Sequence, residues 1–246
     1  MDLQIVEASQ GSNRLHMIRR GIMAGIPIML GYLPVSLTYG VLAGQSGMTN
    51  MELTLMSVLV FAGAAQFLAV SMIAAGTGAV EIIIATFVLN FRHFVMSLSF
   101  MNRLRNIALK AKIPLSLGLT DETFTVSTLY RKETKEANGS WFYAALILTA
   151  YFSWVGGSYL GGVLGDVMPS RLSESMGIAL YAMFIGLLIP SIRKHYRIAI
   201  IAVLAMIINF LCQWWGMNQG WAIVLGTLIG GLSGVWVLTD EEDEDK

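Results

Sequence analysis

Residues 79–101 read AVEIIIATFVLNFRHFVMSLSFM, an apolar run that carries Asn90, Arg92 and His93 in its interior. A helix needs about 20 mainly apolar residues to cross hydrocarbon, so this run is long enough. An ionisable group at the centre of such a span costs roughly 2.5–3.5 kcal/mol on insertion scales. A second apolar run, 113–130, is shorter and holds Asp121 and Glu122 near its middle. Groups that costly usually stand where something polar has to cross. The default reading is a membrane transporter with these two clusters along its pathway.

Composition supports the frame. The 246-residue chain is 55% hydrophobic and 13% charged, whereas a soluble domain carries about 25% charged residues. Most of its apolar surface must therefore face lipid or neighbouring helices. Net charge is zero, and nothing points to nucleic acid as a partner. Cys212 is the sole cysteine, which rules out an intrachain disulfide and a cysteine-cluster metal site. His16 and His195 lie at segment ends, away from His93, so no metal or other cofactor is expected. The chain has no Walker A loop, H-E-x-x-H or G-x-S-x-G element, and an enzyme is not the reading.

Working outward, the long apolar stretches are 21–44, 52–75, 79–101, 140–164, 175–192, 197–215 and 219–238. The first is too long for a secretory signal and contains Pro27 and Pro34, so it reads as a retained span. The fold class is an all-α polytopic integral membrane protein. It has seven long apolar helical segments plus a half-helix or re-entrant segment at 113–130. Residues 1–20 form a basic cytoplasmic arm, 21–238 a single transport domain, and 239–246 an acidic cytoplasmic tail.

Lys and Arg in short loops set orientation. Arg14, Arg19 and Arg20 put the N-terminus inside, as do the basic loops 131–136 and 193–197 for their own ends. If all eight segments cross, both termini are cytoplasmic, but Arg103, Arg105, Lys110 and Lys112 then lie outside against the rule. The conflict vanishes if 52–75 dips in and returns, and 113–130 does the same from the other face. Two such hairpins imply inverted halves with broken helices at the midplane.

Small residues recur every four positions at Ser153, Gly157, Gly161 and Gly165, and again at Gly226, Gly230 and Gly234. Such stripes let helix backbones approach closely, so both read as packing surfaces. Ala62, Ala65, Gln66 and Ala69 make a similar face beside Gly63. The amide of Gln66 reads equally as a packing hydrogen bond or a substrate contact.

On a helix over 79–101, Thr86, Asn90, His93 and Ser97 fall within about 60° of one another. They should face the interior or a wet cavity, as hydrogen-bonding glue or as pathway. His93 has an unperturbed pKa of about 6.5, which suits a proton carrier. Arg92 points nearly the opposite way. It snorkels to the headgroups, reaches a partner helix, or marks an interrupted helix. Thr120 or Asp121 is placed to cap a helix starting near 122. A carboxylate and a helix N-terminus together would answer the two ends of a zwitterion.

The elements Phe61-Ala62-Gly63-Ala64-Ala65-Gln66-Phe67, Asn90-Phe91-Arg92-His93, Leu119-Thr120-Asp121-Glu122-Thr123-Phe124 and Trp154-Val155-Gly156-Gly157 resemble, in order and spacing, the AzlC (azaleucine-resistance) family. That family is the large subunit of bacterial branched-chain amino acid exporters, and the resemblance runs over about residues 20–238. It implies export of leucine, isoleucine, valine and similar hydrophobic amino acids, methionine among them, across the bacterial cytoplasmic (inner) membrane. It also implies a small AzlD-type membrane subunit as partner. By motif, the pathway positions are Gln66, Asn90, Arg92, His93, Thr120, Asp121, Glu122 and Trp154. Where the family pattern has an acidic L-D-F-A element, Met176-Gly177-Ile178-Ala179 stands here, followed by Met183-Phe184-Ile185, so no coupling role for an acid in that helix is expected.

The expected mechanism is alternating access driven by the proton gradient. A channel, or an assembly subunit whose partner carries the transport determinants, is the alternative.

Overall fold

Small-x-x-x-Gly spacing on two helices decides how this chain packs. A computed structural model describes residues 2–104, 107–130, 132–133, 136, 138–165, 185–186, 188–189, 192–193 and 195–238. The expected span 175–192 and the element around Met176 lie almost wholly outside the described residues. So do the acidic tail and Arg105, Arg131, Lys135 and Lys194 of the basic loops.

The described residues form helices and turns: α1 (Asp2–Gln45), α2 (Asn50–Val60), α3 (Gly63–Ala74), α4 (Ala79–Arg103), α5 (Leu109–Leu117), α6 (Asp121–Leu129), α7 (Gly139–Gly165), α8 (Arg197–Trp214) and α9 (Gln219–Leu238). The arm expected ahead of the first span is continuous with it, because α1 is helical from Asp2. Among the described residues, three helices are long and apolar enough to cross a bilayer: Arg14–Gln45, Ala79–Arg103 and Arg197–Trp214.

The expectation of seven long apolar helices is therefore corrected at 52–75. That stretch is two half-helices, interrupted where Phe61 takes a left-handed φ of 42°. This conformation costs an L-residue roughly 1–2 kcal/mol. It is held by aromatic packing of the Phe61 ring on Tyr151 at 5.0 Å and Tyr32 at 6.5 Å.

α1 and α7 run parallel through closely matched levels. A Cβ on Gly25 would lie 3.0 Å from that of Thr149, Ser153 donates to the Met29 carbonyl at 3.0 Å, and Gly165 lies against Val41. Any side chain on Gly157 or Gly161 would collide with Ser36 or the Leu37 carbonyl. The 153–165 stripe thus faces α1 along its length. On the opposite flank Gly226, Gly230 and Gly234 lie against Asn209, Ala205 and Ile201 of α8, which makes α8 and α9 an antiparallel pair.

The two broken segments enter from opposite ends. α2 descends along α7, with Asn50 near Gly162, Ser57 bonded to Ser158 at 2.8 Å and the Val58 carbonyl accepting from Tyr151. α3 then turns back the way α2 came. Tyr39 shows it, because its hydroxyl donates to the Leu53 carbonyl at 3.2 Å while its ring sits 5.8 Å from Phe67.

α4 runs to the other end, where Phe100 meets Tyr143. α5 rises beside it, Ser97 donating to the Ser116 carbonyl at 2.7 Å. α6 falls back until Tyr130 packs on Phe142 and accepts from the Tyr143 hydroxyl. A long helix followed by a broken hairpin is thus built twice, in opposite directions.

Candidate functional site: a cavity between two helix breaks

Each hairpin turns where its polar or small residues sit, so both turns meet at the middle of α1 and α7. A cavity of about 30 Å³ lies between them. The α2–α3 turn contributes Phe61, Ala62, Gly63 and Ala64, the α5–α6 turn Thr120, Asp121 and Glu122. α1 gives Tyr32, α4 gives Arg92 and His93, and α7 gives Trp154. That volume holds a water molecule or two, so an amino acid enters only if the hairpins part.

The two helix N-termini facing the cavity differ. α6 is capped: Thr120 Oγ1 accepts from the Thr123 amide at 3.3 Å and Thr123 Oγ1 from the Thr120 amide at 2.8 Å. α3 begins after Ala62 with no side-chain cap. Its first-turn amides are orphan donors at the positive end of a helix dipole.

The acids at the start of α6 both have partners. Arg92 Nη2 lies 3.0 Å from Asp121 Oδ2. Of the readings weighed for Arg92, the contact with a neighbouring helix is the one observed; its long stem spans the angle that separates it from the polar stripe. Tyr32 donates to Glu122 Oε2 at 2.5 Å. A phenol has one proton to give, so its 2.7 Å contact with Thr120 Oγ1 is a bond donated by the threonine.

His93 Nδ1 lies 3.0 Å from the Leu119 carbonyl. A carbonyl only accepts, so Nδ1 carries a proton, and Nε2 is buried without a partner.

Gln66 does not line the cavity. It accepts from Trp154 Nε1 at 2.8 Å and donates to Ser57 at 2.9 Å, tying α2, α3 and α7 into one wall. A Cβ on Gly63 would come 2.5 Å from Trp154 Cη2, so glycine is what lets the turn seat against the indole.

The polar stripe of α4 is divided. His93 and Ser97 bond the α5–α6 limb, Thr86 bonds its own helix, and Asn90 Oδ1 is buried without a partner and outside the cavity lining. Phe67 stands behind the wall with Tyr39; Phe61 and Trp154 supply the cavity's apolar face. Among the described residues no cluster of His, Cys, Asp and Glu is arranged to hold a metal ion.

Tyr32 was not legible as a site residue. Its only signal is a hydroxyl in mid-span, which when buried needs a partner.

Residues 27–168 match the family described as AzlC protein. The chain belongs to the AzlC family. The matched region runs from α1 through the end of α7, covers every cavity-lining residue, and stops before α8 and α9. An uncharacterised membrane protein of Archaeoglobus fulgidus is 32% identical over 189 residues, covering 75% of this chain and 80% of its own. The inner membrane protein YgaZ of Escherichia coli is 26% identical, over 75% and 77% of the two chains. The branched-chain amino acid transport protein AzlC of Bacillus subtilis is also 26% identical, over 70% and 67%. No solved structure matches. The chain is thus an AzlC-family protein whose relatives are membrane proteins, one of them named for branched-chain amino acid transport.

Proposed function

We propose that this AzlC-family chain exports branched-chain and similar hydrophobic amino acids across the cytoplasmic membrane by alternating access, driven by the proton gradient. One observation carries the reading: bare amide donors and two carboxylates line one small, partly open mid-depth cavity with an aromatic wall. The uncapped first turn of α3 would take the carboxylate. Asp121, with Glu122 beside it, would take the ammonium or an exchanged proton. Phe61 and Trp154 would receive the aliphatic side chain.

The hairpin arrangement supports an inside orientation for the end carrying Arg20, Arg103, Lys110 and Lys112, which satisfies the positive-inside rule. The N-terminus is then cytoplasmic. The family resemblance supports a small AzlD-type membrane subunit as the second component of the exporter; its co-purification with the full chain is the check.

The test of the transport reading is Asp121→Asn. Loss of a charge-assisted bond to the substrate ammonium is worth roughly 1.5–3 kcal/mol, so leucine efflux from loaded cells at sub-saturating leucine falls by about tenfold or more. Wild-type efflux with wild-type pH dependence would refute the role of Asp121.

A further inference from the structure

We propose that Arg92 is a tethered substitute for the substrate's ammonium: it neutralises Asp121 when the cavity is closed on no amino acid, and so lets the unloaded carrier reorient. The inference rests on the transport reading above and adds the return leg to it.

The ion pair belongs to an arrangement in which the cavity, at about 30 Å³, has no room for an aliphatic amino acid. In that arrangement each carboxylate already has a protein donor: Arg92 for Asp121 and the Tyr32 hydroxyl for Glu122. A bare carboxylate at mid-membrane would resist being carried between two closed states, because a buried charge without its partner is strongly destabilising.

Arg92 is also suited to letting go. Its contact to Asp121 is made by Nη2 alone, while its Nε is buried with no partner. The guanidinium therefore has a donor to spare for an incoming carboxylate.

Arrival of a zwitterion then becomes an exchange of partners. The ammonium takes Asp121, and Arg92 turns toward the substrate's carboxylate at the α3 terminus. A zwitterion adds no net charge, so the site carries the same net charge on both legs. Asp121 itself needs no proton on the return, and the exchanged proton that drives export is left to Glu122 beside it.

Two transport modes separate this role from simple substrate binding. Exchange of internal labelled leucine against saturating external leucine never requires the unloaded carrier to reorient. Net efflux into leucine-free medium requires it in every cycle. Both are measured with the full chain, and any subunit that co-purifies, in proteoliposomes.

In Arg92→Gln exchange weakens with the lost contact to the substrate's carboxylate, while maximal net efflux falls about 100-fold further, so the ratio of net efflux to exchange drops. In the double variant Arg92→Gln/Asp121→Asn no charge is left bare, and the ratio of net efflux to exchange returns toward the wild-type value.

Equal losses in both modes for Arg92→Gln, or a double variant whose ratio stays as low as that of the single, would overturn the proposal. If Arg92→Gln does not reach the membrane folded, Asp121→Asn carries the test. It leaves the guanidinium bare on the unloaded return, so its ratio of net efflux to exchange must lie below that of the double variant; equal ratios overturn the inference. Wild-type protein that exchanges no leucine would instead refute the transport reading itself.

Discussion

The two broken hairpins use one backbone device with opposite electrostatics. Both bring a helix N-terminus to mid-depth. In α2–α3 the new helix begins with Gly63 and Ala64, carries no charge and has no side-chain cap. In α5–α6 it begins with Asp121 and Glu122 behind a reciprocal Thr120–Thr123 cap. The first leaves donors free, while the second satisfies its own amides and presents carboxylates. A ligand with one negative and one positive end is what such a pair complements, and neither hairpin alone specifies it.

The comparison breaks first if the hairpins do not enter from opposite faces. With Cys212 replaced by serine, Ser46→Cys and Lys110→Cys report the two ends. A membrane-impermeant maleimide added outside intact cells should label the first and leave the second unlabelled until the membrane is opened. The effect is all or none. Labelling of both from one face would mean that one segment crosses, and the inverted pairing would fall.

Sequence carried the α5–α6 half of this picture far better than the α2–α3 half. Asp121 and Glu122 stand out because charge is rare in apolar runs, and Thr120 precedes them as an N-cap residue should. The stretch 52–75 offers no such mark. Its hydropathy runs unbroken, and the residue that takes the left-handed turn is Phe61, not glycine or asparagine. What holds that turn is tertiary, a ring contact with Tyr151 and a Gln66–Ser57 link across the turn that Trp154 anchors from 88 residues away. Only the misplaced basic loop at 103–112 pointed to a hairpin there. Arg92 kept three readings open for a similar reason. Helical angle fixes where a Cβ points, but a guanidinium several bonds away reaches the helix beside it.

Making the two hairpins alike should cost transport next. Ala64 lines the cavity one residue into α3, so Ala64→Asp would place a carboxylate where the substrate's own is expected. Like charges about 4 Å apart at an effective dielectric near 20 repel by about 4 kcal/mol. Leucine efflux should fall by about 100-fold or more, while 3-methylbutylamine, which keeps the ammonium and side chain but lacks the carboxyl group, gains as a competitor. A variant that still prefers leucine would separate the α3 terminus from substrate recognition.

The smallest effects test the caps themselves. Thr120→Ala removes the oxygen that accepts the Thr123 amide and should cost about 1 kcal/mol of stability, seen as a lower Tm in detergent. It also removes the donor to Tyr32, so the phenol–Glu122 contact loosens. The mirror change is Ala62→Ser, which offers α3 the cap it lacks. If those amides are kept free for a ligand, a serine oxygen competes for them. The variant should then be as stable as wild type or slightly more so, yet need about threefold more leucine for half-maximal efflux, a difference of about 0.6 kcal/mol. Opposite signs for stability and affinity at this one position are the signature of donors held open for substrate. If stability and affinity rise together, the bare terminus of α3 is only a consequence of the turn at Phe61.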